Sequence, residues 1–391
     1  MNVQNISYDT YMKHQSKYLV LAVNDVMMKE HEEIVEEIKK KNGEIIAMGD
    51  GRADSPGHSA KYGTYTIIEK STRKIVASQL VQSNEAGSST AMEKEGLTRA
   101  LAQLEEEGVA VKELVTDRHV SIRKMMRDHH PTIRHSVDIW HIDKGMGKKL
   151  TALGKERGCD LVKKWKPAIS KHLYWCVNKG KGDPDVSVAA WKALENHVIN
   201  IHTHDDPKFD KCLHGEIEER EWFKPSTKAY TKLKEIAFSK NMMKDIRQLT
   251  PNSITSGVES FHSLLNHMAP KMLHFSYHAI RARYQIAIIH HNENSARVQA
   301  KTKGGDDRYN IVYPKFKKGS HTLCKVFEKA TYGYVTRLMN AVHKHVINDN
   351  KYLEDPSKPP PLSSTAIRIS KEDAVKQHKT RFMINETSVE N

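Results

Sequence analysis

Between Glu44 and Trp140 the apolar period of the chain switches repeatedly, and the order of the switches leaves few topologies open. Three runs rich in β-branched and aromatic residues come first: Glu44–Asp50 (EIIAMGD), Gly63–Ile68 (GTYTII) and Lys74–Val81 (KIVASQLV). A Gly/Ser/Pro loop (GRADSPGHSA) follows the first run, and EKSTR makes an antiparallel turn between the second and third. Ser88–Glu107 then reads as a helix, with Met92, Leu97, Leu101 and Leu104 on its apolar face and Gly108 after it. Val109–Asp117 (VAVKELVTD) is a fourth strand, Ser121–His130 a helix stopped before Pro131, and Arg134–Trp140 a fifth short strand. A meander followed by a helical crossover predicts a mixed α/β sheet in which the fourth strand runs parallel to a neighbour.

The flanking segments read as helical. In residues 16–42, Val26, Met27, Ile34, Val35 and Ile38 recur near helical spacing until Asn42-Gly43 stops the pattern. Lys144 to Ser239 is almost wholly helical, with Trp165, Trp175, Trp191 and Trp222 as packing anchors, and reads as an insertion rather than an independent domain. Ser253–Met268 and Tyr277–His291 are further helices. The Pro-rich stretch Asp355–Pro361 and the polar residues after it predict a linker and a disordered end. The resulting division is an N-terminal helical segment (1–43), a first core part (44–143), an all-α insertion (144–250), a second core part (251–345) and a tail (346–391).

Charge narrows the partners. Lys and Arg number 62 against 48 Asp and Glu, a net charge of +14 that favours a polyanion, most simply nucleic acid. No run of about 18 apolar residues occurs, which argues against a membrane span. The N-terminus lacks the basic-then-apolar order of a secretory signal. Four scattered cysteines suit a reducing compartment rather than a disulfide framework.

Three acids occupy positions suited to metal chemistry. Asp50 ends the first strand and Asp117 the fourth, so parallel pairing of those strands brings both carboxylates to one edge. Glu259 lies on the flank of the apolar stripe Ile254, Val258, Phe261, Leu264, Leu265 and Met268, free to reach a cleft while its helix packs. Converging carboxylates repel, and Mg²⁺ (or Mn²⁺) removes that cost with oxygen ligands. Two such ions, about 3.5–4 Å apart, activate the attacking oxygen and stabilise the leaving one in phosphodiester cleavage. A strand-ending Asp also serves as an ordinary turn or cap residue. A second cluster, His202, His204, Cys212 and His214, carries donors that suit Zn²⁺, but it contains no clean C-x-x-C or H-x-x-x-H pair, which favours loop histidines and a buried thiol.

The ordered segments GDGRADSPGHSAKYGTYT, TDRH, DIWH, CLHG, TSGVESFHSLL and HHNEN resemble the catalytic core of eukaryotic cut-and-paste DNA transposases, nearest the Kolobok group related to P-element-like enzymes. The likeness spans roughly Ile45 to Val335. It implies a ribonuclease-H-like fold, a five-stranded mixed sheet flanked by helices and interrupted by the helical insertion. It also implies an Asp–Asp–Glu site of Asp50, Asp117 and Glu259, with Asp54 the alternative first acid. Asp138-Ile139-Trp140-His141 is similar to a Cys-or-Asp, two residues, His motif, which gives Asp138 and His141 either a functional or a capping role. The resemblance implies DNA as partner (transposon ends and target), a homo-oligomer assembled on DNA and a nuclear location. The 49 residues before Asp50 hold no cysteine, so a zinc-coordinating end-recognition domain is not expected there. That departure suggests a truncated copy, a late-starting gene model or a host-adopted remnant. Three readings follow: a transposase core that cuts and joins DNA, a catalytically silent DNA- or protein-binding module, and a ribonuclease-H-like nuclease without strand transfer.

Overall fold

The structure, a computed structural model, describes residues 6–217, 219–317, 319–348, 362 and 369–377. It divides into two units, 1–354 and 355–391. The first opens with α1 (Tyr8–His14), a π-helical turn (Gln15–Leu19) and α2 (Val20–Lys40), so the N-terminal helix begins earlier than the periodicity suggests. Asn42 and Gly43, both at positive φ, end it.

The expected alternation follows as β1 (Glu44–Ala53), β2 (Tyr62–Glu69), β3 (Ile75–Gln82), α3 (Met92–Glu106), β4 (Ala110–Thr116), α4 (Val120–His129) and β5 (Arg134–Val137). The five strands form one sheet in the order β3-β2-β1-β4-β5. The meander pairs are antiparallel and the pairs reached through helices, β1/β4 and β4/β5, are parallel. This is the mixed α/β sheet that the resemblance implies, and it is consistent with a ribonuclease-H-like fold. Ile45, Ala47, Tyr65, Ile67 and Leu114 share a core with Leu97, Leu101 and Leu104 of α3 and with Ile122 and Met126 of α4. Burial of this apolar surface drives the packing of both crossover helices.

The chain then runs through α5 (Ile139–Leu153), α6 (Asp160–Gly180), α7 (Pro184–Lys192) and α8 (Leu194–His197). A two-stranded hairpin, β6 (Thr203–Asp206) and β7 (Phe209–Lys211), is an element that the helical pattern hides. Helices α9 (Lys228–Ala237) and α10 (Lys240–Arg247) complete the insertion. Its core holds Trp165 and Trp191, whose indole N–H groups donate to Glu221 O and Ala237 O, each at 2.9 Å. Trp175, by contrast, is exposed. The insertion is tied to the sheet where Arg118 and Arg123, at the end of β4 and on α4, pair with buried Asp245 of α10.

The second core part contains α11 (Ser256–Met268), α12 (Tyr277–Asn294), a hairpin of β8 (Tyr309–Val312) and β9 (Thr322–Lys325), and α13 (Gly333–Ile347). Helices α11 and α12 lie across the sheet from α3. Tyr284 of α12 shares a 2.7 Å hydrogen bond with Thr66 of β2, and a Cβ at Gly257 of α11 would sit 3.3 Å from Met48 of β1. The second unit contributes the short helix α14 (Lys371–Gln377). The Pro-rich stretch 355–361 lies outside the described residues. No helix of the described residues is long and apolar enough to cross a membrane.

Candidate functional site

Parallel pairing of β1 with β4 is what assembles the site. Met48 stands opposite Val115, and two residues beyond them come Asp50, which does not end its strand because β1 runs on to Ala53, and Asp117, just past the end of β4. Asp50 Oδ1 accepts the Gly51 N–H at 2.8 Å. Its Oδ2 lies 3.4 Å from Nδ1 of His262, a residue that the sequence reading did not single out. His262 sits three residues beyond Glu259 on α11, hence on the same helix face. Its Nε2 is buried without a hydrogen-bond partner among the described residues.

Asp117 Oδ1 lies 3.0 Å from His141 Nδ1, a charge-pairing distance outside hydrogen-bond alignment. Burial pushes the Asp117 carboxyl up to about 6, and the charges of Asp50, Asp138 and Glu259 add to the rise against the pull of His141. Glu259, the weakest of these influences on Asp117, is itself exposed on the first turn of α11.

A fourth carboxylate belongs to the same field. Burial, then the charges of Asp50 and Asp117, push Glu93 up to about 7. Glu93 stands in the first turn of α3, where the sequence offers only the ordinary reading of an acid at a helix N-terminus.

The secondary candidates separate. Asp138 is buried and acts as a joint. Its Oδ1 accepts the Trp140 N–H at 2.7 Å and caps α5, while its Oδ2 accepts the Thr255 N–H at 3.1 Å and the Thr255 hydroxyl at the head of α11. Asp117, Asp138 and His141 still bring ligand atoms within 4.8 Å of one another. Asp54 takes a different part: its Oδ1 accepts the Lys61 N–H at 3.1 Å and closes the β1–β2 loop. Its charge acts on Arg52 and Tyr62, not on Asp117.

Next to His141, Trp140 is 45% exposed, and Lys144 Nζ lies 4.1 Å over its ring. A groove of about 500 Å³ leads away from it, lined by Lys144, Lys148, Lys155 and Lys166 along with Asp143 and apolar side chains such as Met146 and Leu150. This surface suits an anionic, base-bearing polymer.

Residues 81–216 match the family model described as Mutator-like transposase. The matched span holds Asp117, Asp138 and His141 and leaves Asp50 and Glu259 outside it. It supports a transposase family, and the group it names is the Mutator-like rather than the Kolobok. A search of curated proteins finds no match to the chain.

The donor set fits a divalent cation. Burial first, and neighbouring carboxylate charge second, hold Asp117 and Glu93 toward their neutral form, and carboxylate oxygens suit a hard ion such as Mg²⁺.

In the insertion, His202, Cys212 and His214 gather as the sequence suggests, but their fourth companion is His197 and not His204. His204, on β6, has its Nε2 3.3 Å from Cys212 Sγ and its ring stacked on Phe209. His197, at the end of α8, precedes the segment in which metal-type residues cluster, so local spacing does not reveal it.

Proposed function

We propose that this chain is the catalytic core of a DDE-type DNA transposase that cleaves and joins DNA with the help of divalent cations. The observation that carries the reading is the arrival of Asp50 and Asp117 two residues beyond the paired Met48 and Val115. The Mutator-like match supports the transposase class.

In this reading Asp50, Asp117 and Glu259 would hold divalent ions, which would supply charge neutralisation at the phosphate and Lewis-acid activation of the attacking oxygen. The chain's own groups do the rest. His141 and His262 place imidazole edges beside Asp117 and Asp50. Asp138 fixes the head of α11 and so the direction of Glu259. The lysine groove and Trp140 grip DNA by its phosphates and an unstacked base. A nuclear location, assembly as a homo-oligomer on DNA and membership of the Kolobok group remain parts of the proposal that follow from the sequence resemblance.

The test is cleavage of duplex DNA in Mg²⁺ or Mn²⁺ by wild type and by Asp50→Asn, Asp117→Asn and Glu259→Gln, with joined products scored separately. Each variant should lose cleavage and keep DNA affinity. Cutting that persists in any one of them removes that residue from the assignment. Cutting without joined products leaves a nuclease.

A further inference from the structure

We propose that His197, His202, Cys212 and His214 form a zinc site that staples the segment between α8 and α9, separate from the carboxylate site. The segment needs one. Between Val198 and Phe223, Phe209 is the only buried side chain among the described residues, and the β6–β7 hairpin rests on two paired positions, Thr203–Lys211 and Asp206–Phe209. A two-stranded ribbon of that size does not hold its shape unaided. Three donors of this stretch nevertheless converge with His197, the last residue of α8, on one point.

The geometry is that of a coordination shell. One ligand atom from each of the four residues lies within 4.8 Å of all the others. Zinc bonds of ordinary length place tetrahedral ligands about 3.3–3.7 Å apart. Cys212 Sγ and His197 Nδ1 are already at 3.5 Å. The three imidazoles stand edge to face, with centroids 4.8–5.2 Å apart and planes tilted 70–85°. Rings so arranged occupy different vertices around a shared centre instead of stacking on one another.

Hydrogen bonds set the tautomers that a metal requires. His202 Nε2 donates to Asn200 Oδ1 at 3.0 Å, which leaves the lone pair on Nδ1, an atom buried without a partner. His214 Nδ1 donates to Gly215 O at 2.8 Å, which frees Nε2. Metal-bound histidines are oriented in this way, through the ring nitrogen that does not bind. His204, 3.3 Å from the sulfur, is a positioning residue that hydrogen-bonds the thiolate. Trp222 packs on His197 and His202 with centroids 5.8 and 5.9 Å away and covers the cluster on one side. One sulfur and three nitrogens in a closed set of four match structural zinc better than Mg²⁺ or Ca²⁺, which take oxygen.

The experiment is metal analysis of the full chain, purified without a histidine tag and passed over chelating resin. Wild type should carry about one zinc ion per chain. Cys212→Ser and His197→Ala should lose most of it, Asp117→Asn should keep it, and His204→Ala should keep it with weaker retention against chelator. Wild type loaded with Co²⁺ should show the thiolate charge-transfer band and tetrahedral d–d bands, a reading that needs no variant to fold. Chelation should expose residues 199–222 to protease before the rest of the chain. Wild type that binds neither zinc nor cobalt overturns the proposal. So does full zinc content in both Cys212→Ser and His197→Ala, or loss in His204→Ala with retention in His197→Ala. Because the readout is metal content, failure here is distinct from failure of DNA cleavage.

Discussion

Gly51 lies against Glu93 so closely that position 51 has no room for a side chain. A Cβ there would stand 2.6 Å from Glu93 Cγ. Gly49, on the other side of Asp50, faces the same constraint from the Tyr65 hydroxyl at 2.7 Å. The G-D-G of β1 is thus a stretch of strand thinned on one face so that α3 and β2 can close beneath an acid that points to the other. Gly51→Ala should force Glu93 or β1 to shift, at a cost of about 1–3 kcal/mol in urea unfolding. Glu93→Ala in the same chain should recover most of that loss. A Gly51→Ala protein as stable as wild type would show that the contact yields freely.

Glu93 and Asp117 make the metal-free protein lose stability as pH rises from the acid range to neutrality. A carboxyl whose pKa rises on folding binds its proton more tightly in the folded state. Its contribution is fully present below the unfolded value and is lost as pH climbs through the folded one. For Glu93 the window runs from 4.5 to about 7, and for Asp117 from 3.8 to about 6. Stability in chelator should therefore fall across that range. The difference between wild type and Glu93→Gln should amount to roughly 1–3 kcal/mol. Mg²⁺ at pH 7.5 should raise the Tm of wild type more than that of Asp117→Asn. Parallel pH curves for wild type and Glu93→Gln would remove Glu93 from the charge cluster.

The parts of this site visible in the sequence are those that depend on local pattern. Asp50 and Asp117 end short apolar runs, and an antiparallel meander followed by one helix is enough to make the first and fourth strands parallel, so their meeting follows from the order of elements. Residues 203–211 form a hairpin inside a helical stretch because their pairing is too short to write an alternation. Glu93, His262 and His197 were not legible for a different reason. Each becomes special only through packing between distant segments: α3 beneath β1, α11 across the sheet, and α8 against the hairpin. An acid at a helix start, a histidine on a helix and a histidine at a helix end have ordinary local explanations, and nothing short of the tertiary contact distinguishes these three.

Trp140 should report on DNA without reporting on stability. It is the exposed aromatic beside His141 and lies under the Lys144 ammonium. Trp140→Ala should weaken binding to single-stranded or distorted DNA by about tenfold or more, the scale of one lost stacked base, with Tm unchanged. Trp140→Phe should keep most of the affinity. Lys148→Ala with Lys155→Ala should lower the slope of log affinity against log salt by up to about 2 on a duplex. Fluorescence anisotropy across a salt series measures both effects. Equal affinities for Trp140→Ala and wild type on every substrate would leave the ring without a part in DNA binding.

Asp138 and Thr255 decide whether the Asp-x-x-His segment binds metal or builds the site. Both carboxylate oxygens of Asp138 are occupied, one by the Trp140 N–H and the other by Thr255. Asp138→Asn keeps an acceptor for the first but turns an amide N–H toward the Thr255 N–H, leaving a buried donor unpaired. The cost should be about 2–4 kcal/mol. Thr255→Val removes only the hydroxyl and should cost about 1–2 kcal/mol. The two changes share a partner, so the double variant should fall short of their sum by about 0.5 kcal/mol or more. Thr255→Val should also slow DNA cleavage, although valine can neither bind nor release a metal, because Glu259 rides on the helix that Thr255 anchors. Asp138→Asn should slow it further at unchanged Mg²⁺ dependence. Were Asp138→Asn instead to raise the Mg²⁺ requirement while Thr255→Val left cleavage untouched, Asp138 would be a ligand and not the joint between β5 and α11.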